Sequence, residues 1–246
     1  MSKFFISIIL FNFFHTTSIN TIISLSDSLY NQGLYDKSYI YLKGKYKKFD
    51  FDVNIVSRYA RSIFMKALNE SNIDKQNELL YYGLTKSEKA LNLDPNDPYA
   101  NFWYASYIGK IGQIEGFEKS IANSYIMKKY ALKAINLDPY FSPPYFMMGR
   151  WHYEISSLNY LEKLFAETIY GKLPESSMED AVFYLRKAVH IEPENIRYNY
   201  WLAKILSITN EEESKSVYKK ILALNPKDNE EKQILIKVKK IIKENE

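Results

Sequence analysis

One six-residue phrase returns four times down the chain, as Ala90-Leu91-Asn92-Leu93-Asp94-Pro95, Ala134-Ile135-Asn136-Leu137-Asp138-Pro139, Ala188-Val189-His190-Ile191-Glu192-Pro193 and Ile221-Leu222-Ala223-Leu224-Asn225-Pro226. Such repetition restricts a chain to an array of one supersecondary unit. Each copy reads as a helix end. Its apolar pair packs, its acidic or amide residue bonds backbone N–H groups in the turn, and its proline cannot continue a helix past the first turn. The first three copies are followed by aromatic-rich amphipathic stretches, Tyr99–Ile111, Tyr145–Leu158 and Tyr198–Leu206. Helix, proline turn and helix alternate, and no period-two alternation framed by hairpin turns occurs. The expected fold class is all-α.

Pro95, Pro139, Pro193 and Pro226 stand 44, 54 and 33 residues apart. Only the last interval fits the tetratricopeptide period of about 34 residues, so the other two contain insertions or longer helices. In the first interval Gly109, Gly112 and Gly116 predict a break before a helix over Phe117–Ile135. The second carries a loop from Tyr170 to Ser177, and Ser177 with Asp180 resembles a capping box that starts a helix near Met178. Further helices are predicted over Ile22–Asn31, Tyr35–Lys47, Val53–Leu68 and Asn77–Leu91, with a polar loop at Asn69–Lys75. Glu230–Glu246 carries Ile234, Leu235, Val238, Ile241 and Ile242 on one face and lysines on the other, as a terminal cap should. The architecture expected is an irregular tetratricopeptide-like solenoid of helix pairs, one domain over residues 19–246, closed by a C-terminal capping helix.

Residues 1–18 have another character. Lys3 precedes the apolar run Phe4–Phe14, which is too short to span a bilayer comfortably, and Thr16-Thr17-Ser18 follows. That is the layout of a cleavable signal peptide, with a short N-terminal anchor as the alternative. Cleavage would make the protein exported, periplasmic or secreted; retention would leave it membrane-anchored or cytoplasmic. With no Cys, the chain has no disulfides, zinc-thiolate sites, cysteine nucleophile or lipidated cysteine. A net charge of +4, spread along the chain, gives no dedicated nucleic-acid surface.

The segment Gly149-Arg150-Trp151-His152-Tyr153-Glu154, followed by Tyr160-Leu161-Glu162, resembles the regulator of microtubule dynamics family, whose hallmark is Gly-Arg-Trp-x-Tyr followed by aromatic-Leu-Glu. Lys119, Ala122, Tyr125, Ile126, Lys128, Ala134 and Ile135 precede it, and Ala166, Pro174, Asp180, Ala181 and Ala188 follow in the family's order, so the resemblance covers roughly Leu84–Pro226. It implies a tetratricopeptide-like helical protein. Animal members are described as microtubule-associated, some anchored to membranes at organelle contacts. It carries over no catalytic residue.

Read linearly, Arg150, Trp151, His152 and Tyr153 resemble an active site, yet successive helical residues point about 100° apart and cannot converge. Trp151 with Ile155 and Leu158 forms a packing stripe, and Arg150 with Glu154 an i, i+4 ion pair. A buried Arg150 would instead receive a carboxylate or phosphate through its fork of donors. His152 and His190 lack ligand-spaced carboxylates, and no hydrolase, phosphate-loop or dinucleotide motif is present, so neither metal, cofactor nor catalysis is expected. Glu211-Glu212-Glu213 suits a helix N-terminus.

Tyr is the compositional outlier, with 22 of 246 residues. In tetratricopeptide folds the first helix of each pair lines the concave face. Tyr104, Tyr107, Tyr145, Tyr198 and Trp201 lie on such helices and, with Arg150, are the candidate groove contacts. The first functional expectation is a non-enzymatic scaffold that binds a protein or peptide. The alternative is a lipid or amphiphile carrier with an aromatic-lined cavity. Microtubules enter as a partner through the resemblance only.

Overall fold

The computed structural model describes residues 19–170, 173 and 175–244, all of them in helices or connections; the expected leader lies outside the described residues. In chain order the helices are α1 (19–31), α2 (Tyr35–Tyr46), α3 (Val53–Leu68), α4 (Ile73–Leu93), α5 (Pro98–Glu115), α6 (Phe117–Leu137), α7 (Ser142–Ser156), α8 (Tyr160–Tyr170), α9 (Met178–Ile191), α10 (Ile196–Thr209), α11 (Glu211–Ile221) and α12 (Asn229–Glu244). The all-helical expectation holds. The chain divides into two compact units, Met1–Trp103 and Tyr104–Glu246, with the boundary inside α5.

The repeated phrase ends helices as its chemistry requires. Asp94 and Asp138 each close their helix through a backbone N–H to an alanine carbonyl four residues back, and their carboxylates accept from Asn96 N and Tyr140 N. The helices that follow begin alike. Asp97 accepts from Ala100 N, and Asn195 from Tyr198 N, while Asp52 caps α3 through Ile55 N. Inside α5 and α10, Asn101 and Asn199 each donate to two carbonyls of the preceding turn, Pro95 O and Asp97 O in one, Pro193 O and Asn195 O in the other. The two turns are chemical copies.

In the first unit Ile22, Leu42, Phe49, Ile55, Tyr59 and Ile63 form the core, with Val56, Ala90 and Ala100 in a second cluster. α4 begins earlier than expected, at Ile73, because Asn72 accepts from Lys75 N and its own N–H bonds Glu70. In the second unit α7 pairs with α9, and α10 with α11. Gly109 and Gly112 prove not to break α5, which runs on to Glu115. They sit where α6 comes closest. A Cβ on Gly109 would lie 2.7 Å from Met127 Sδ, and one on Gly112 3.0 Å from Asn123 Cβ. The break falls at Gly116, whose φ of 103° only glycine adopts readily.

The 54-residue interval holds one whole extra helix, α8, which sequence periodicity left inside the insertion. Asn159 and Glu162 start it reciprocally, Asn159 Oδ1 accepting from Glu162 N and Glu162 Oε2 from Asn159 N. Ser177 caps α9 as expected, accepting from Asp180 N and donating to the Asp180 carboxylate.

α12 closes the second unit. Ile234 and Val238 pack with Ile196, Ala203, Tyr218 and Ile221. Arg197 of α10 reaches Glu230 and Glu231 at 2.8 and 2.6 Å, and Asp228 as well. Burial alone would lower the Arg197 pKa, but the hydrogen bonds it donates to Glu230 and Asp228 outweigh it and hold the guanidinium charged.

Two outcomes follow. Gly149 meets α9 so tightly that a Cβ would lie 2.6 Å from Leu185 Cγ and 3.1 Å from Ala181 O, whereas Gly44 in α2 has open space. Gly149→Ala is expected to lower stability by about 1–3 kcal/mol and Gly44→Ala to raise it by about 0.5–1 kcal/mol, read by thermal unfolding. Arg197→Met leaves the carboxylate of Glu231, which is 2% exposed, without its cation and should cost about 3–5 kcal/mol with loss of hydrogen-exchange protection in α12.

Candidate functional site

Close pairing of helices dictates which side chains reach the exposed side of a first helix. Eight residues after the N-caps Asp52, Asp97, Phe141 and Asn195 stand Ala60, Ala105, Gly149 and Ala203, all buried against a neighbour. The next residue in each helix is Arg61, Ser106, Arg150 or Lys204. Arg150 and Lys204 come from α7 and α10, which meet directly in the second unit.

Between them lies Trp201. The Arg150 guanidinium and the Lys204 ammonium each sit 4.5 Å from its ring centre. Tyr153 meets the same ring edge-on at 5.9 Å, and Lys204 lies 5.0 Å from the Tyr153 ring. All four side chains are half-buried. Arg150 also pairs with Glu154 at 2.7 Å, as the i, i+4 spacing predicts, while its Nε is buried with no hydrogen-bond partner. Cation–π contacts of this kind contribute about 0.5–2 kcal/mol each. They hold two positive charges on one aromatic ring.

Of the six candidate groove residues, only Arg150 and Trp201 come together here. Tyr107 is fully buried. Tyr198 is nearly so, stacked on Phe146 at 4.8 Å with its hydroxyl 3.3 Å from Ser142 Oγ. Both therefore occupy core positions. Tyr104 packs edge-on against Tyr130 of α6 at 4.7 Å. Tyr145 lies five residues before Arg150, a turn of about 140° around the helix, and faces Tyr184 of α9 at 6.4 Å. Lys204 and Tyr153 were not among the candidates. The signal that marks Lys204 is its register, the residue after the small one in each first helix.

On the α9 side of α7 lies a second, more enclosed cluster. Trp151, 2% exposed, is packed as expected, with the Lys128 ammonium 4.2 Å from its ring centre. His152 stacks on Tyr184 at 5.2 Å and meets Trp151 edge-on. Its Nδ1 lies 3.7 Å from Asp180 Oδ2, too far for a hydrogen bond. Asp180 reaches it only because the fold brings α9 across α7. Burial lowers the His152 pKa against the raising influence of Asp180, and burial likewise lowers that of Lys128. No group of three potential metal ligands occurs among the described residues.

The regulator of microtubule dynamics protein 1-3 family model matches residues 22–246. The chain belongs to that family. It is 30% identical over 179 residues to regulator of microtubule dynamics protein 1 of Mus musculus, covering 72% of this chain and 58% of the relative. To regulator of microtubule dynamics protein 2 of Bos taurus it is 27% identical over 227 residues, 91% of this chain and 55% of the relative. The chain thus spans little more than half the length of these relatives. Among solved structures, the tetratricopeptide protein TTC0263 of Thermus thermophilus aligns over 90% of this chain and 97% of its own, with a TM-score of 0.61 at 15% identity. The family match extends the resemblance from its Gly149–Glu154 hallmark through nearly all the described helices, and the TTC0263 alignment shows the tetratricopeptide architecture.

A neutral His152 in the fold has a pH signature. The unfolded chain takes up that proton near the ordinary value of 6.5 and the folded chain only below it, so stability falls as pH drops through this range. Between pH 7 and pH 5, wild-type stability should fall by up to about 1.4 kcal/mol per pH unit more than that of His152→Gln, in urea unfolding at each pH.

Proposed function

We propose that this family member is a non-enzymatic scaffold that grips a segment of another protein on the α7–α10 face of its second unit, and that the partner belongs to the microtubule system. The observation that carries the reading is the half-buried cluster of Arg150, Tyr153, Trp201 and Lys204, since Trp, Tyr and Arg dominate the energetics of protein interfaces. The names of the relatives supply the microtubule part.

A photo-crosslinking residue at the exposed position of Glu154 tests it, with the exposed position of Ile236 on α12 as control. Cross-linking to tubulin from position 154 and not from 236, together with co-sedimentation of the full chain with microtubules, is expected. Absence of both overturns the reading. Intact mass of the chain from its own host bears on the same point. Loss of about 18 residues is what removal of a signal peptide gives and would place the chain outside the cytosol, ending the microtubule part.

A second reading, binding of an amphiphile or lipid, rests on α8. Tyr160, Leu161, Leu164, Phe165 and Ile169 are all exposed on it, and Ala166 is buried. Among the described residues no helix is long and apolar enough to cross a membrane. Flotation with phosphatidylcholine vesicles that is lost in Phe165→Glu would support this reading; failure of the wild-type chain to float would end its membrane form.

A further inference from the structure

We propose that Arg150 and Lys204, steadied by Trp201 and Tyr153, form a seat for carboxylates of an acidic peptide segment. The inference deepens the scaffold reading and rests on it. Its ground is a comparison of cations within this one chain. Arg197 is met by three carboxylates, Arg186 by Glu213, Lys66 by Asp36 and Lys89 by Asp50. Lys204 lies against two rings, as Lys86 does, and none of the ion pairs among the described residues reaches either; what sets Lys204 apart is that it shares the Trp201 ring with Arg150 of another helix. Arg150 spends one terminal nitrogen on Glu154, and its buried Nε lacks a hydrogen-bond partner, as does that of Arg61. Two cations and one carboxylate therefore share the site.

The first unit carries an internal template for what such a site binds. Arg61 holds the same register as Arg150 and Lys204, one residue after the buried Ala60. It too lies over an aromatic ring, Tyr30, at 4.3 Å. There a carboxylate of the chain itself completes the arrangement, Asp27 Oδ1 lying 2.7 Å from Arg61 Nη2 and 3.0 Å from Arg58 Nε. A cation on an aromatic ring, closed by a carboxylate, is thus a combination this chain already builds at this register. In the second unit the aromatic and the cations are present, and Glu154 serves Arg150 alone.

The ring argues against nucleic acid. With two cations within 4.5 Å of its centre, Trp201 offers no free platform on which a base can stack. A carboxylate needs no such platform. It relieves the repulsion between two positive groups and takes charge-assisted hydrogen bonds from both. Side-chain carboxylates of Glu or Asp and a free C-terminal carboxylate share this chemistry.

Fluorescence anisotropy of the full chain with N-terminally labelled hexaglutamate tests the proposal, alongside its C-terminal amide and a C-terminally amidated hexaglutamine, which carries no carboxylate. Hexaglutamate is expected to bind about tenfold more tightly than hexaglutamine, and to weaken by about tenfold or more as salt rises from about 50 to about 200 mM. Arg150→Gln and Lys204→Gln should each weaken binding by about tenfold, while Lys237→Gln, which removes the same charge from the exposed side of α12, should not. Equal binding of acid and amide assigns the site to side-chain carboxylates, and loss on amidation assigns it to the chain terminus; either supports it. Equal effects of Lys204→Gln and Lys237→Gln, or no preference over hexaglutamine, overturn it. If cross-linking from position 154 succeeds while hexaglutamate shows no preference, the acidic-peptide inference falls and the scaffold reading stands.

Discussion

The near approach of paired helices at one small side chain is the constraint from which the rest of this molecule follows. Gly149 against Leu185 and Ala181 is its tightest instance, with Ala60, Ala105 and Ala203 at the same count from their caps. Backbones that come this close leave no freedom of rotation about the helix axis, because turning α7 by one residue would drive Arg150 into α9. The rotation fixes everything that projects from the opposite side. Arg150 and Lys204 reach one tryptophan because two helices, each locked against its own partner, present the same register to each other.

Much of this was written in residue types whose chemistry is local. Proline turns, the Asp and Asn caps and the Ser177 start of α9 need only their own neighbours to act, and each appears where its chemistry requires. Gly109 and Gly112 were misleading for a physical reason. Glycine serves both to end a helix and to admit another backbone, and only Met127 and Asn123, well beyond one helical turn from Gly109 and Gly112 in sequence, decide between the two. α8 was missed because its capping pair, Asn159 and Glu162, lies within an interval that looked like an insertion.

The site was less legible than the fold. Counting aromatics on first helices identified Trp201 but also Tyr107 and Tyr198, whose side chains point inward; composition does not record direction around a helix axis. Lys204 looked like one lysine among many. Its distinction is the Trp201 ring it shares with Arg150 of another helix, a relation that exists only in three dimensions. The charge pairing of Arg150 with Glu154 was readable because an i, i+4 spacing needs no tertiary contact.

α12 bears on how an array of this kind ends. A helix pair exposes a fresh apolar side on which a further pair could be laid, so an array without a terminator has no intrinsic length. Here the last side, built from Ile196, Ala203, Tyr218 and Ile221, is covered by a single helix whose outer surface is lysine-rich. Arg197 pins its first turn to α10 through three acids. Ionic bonds demand alignment in a way apolar contacts do not, so the covering helix has one seating. The covered side is thereby withdrawn from stacking, and what α12 presents in its place is mainly lysine.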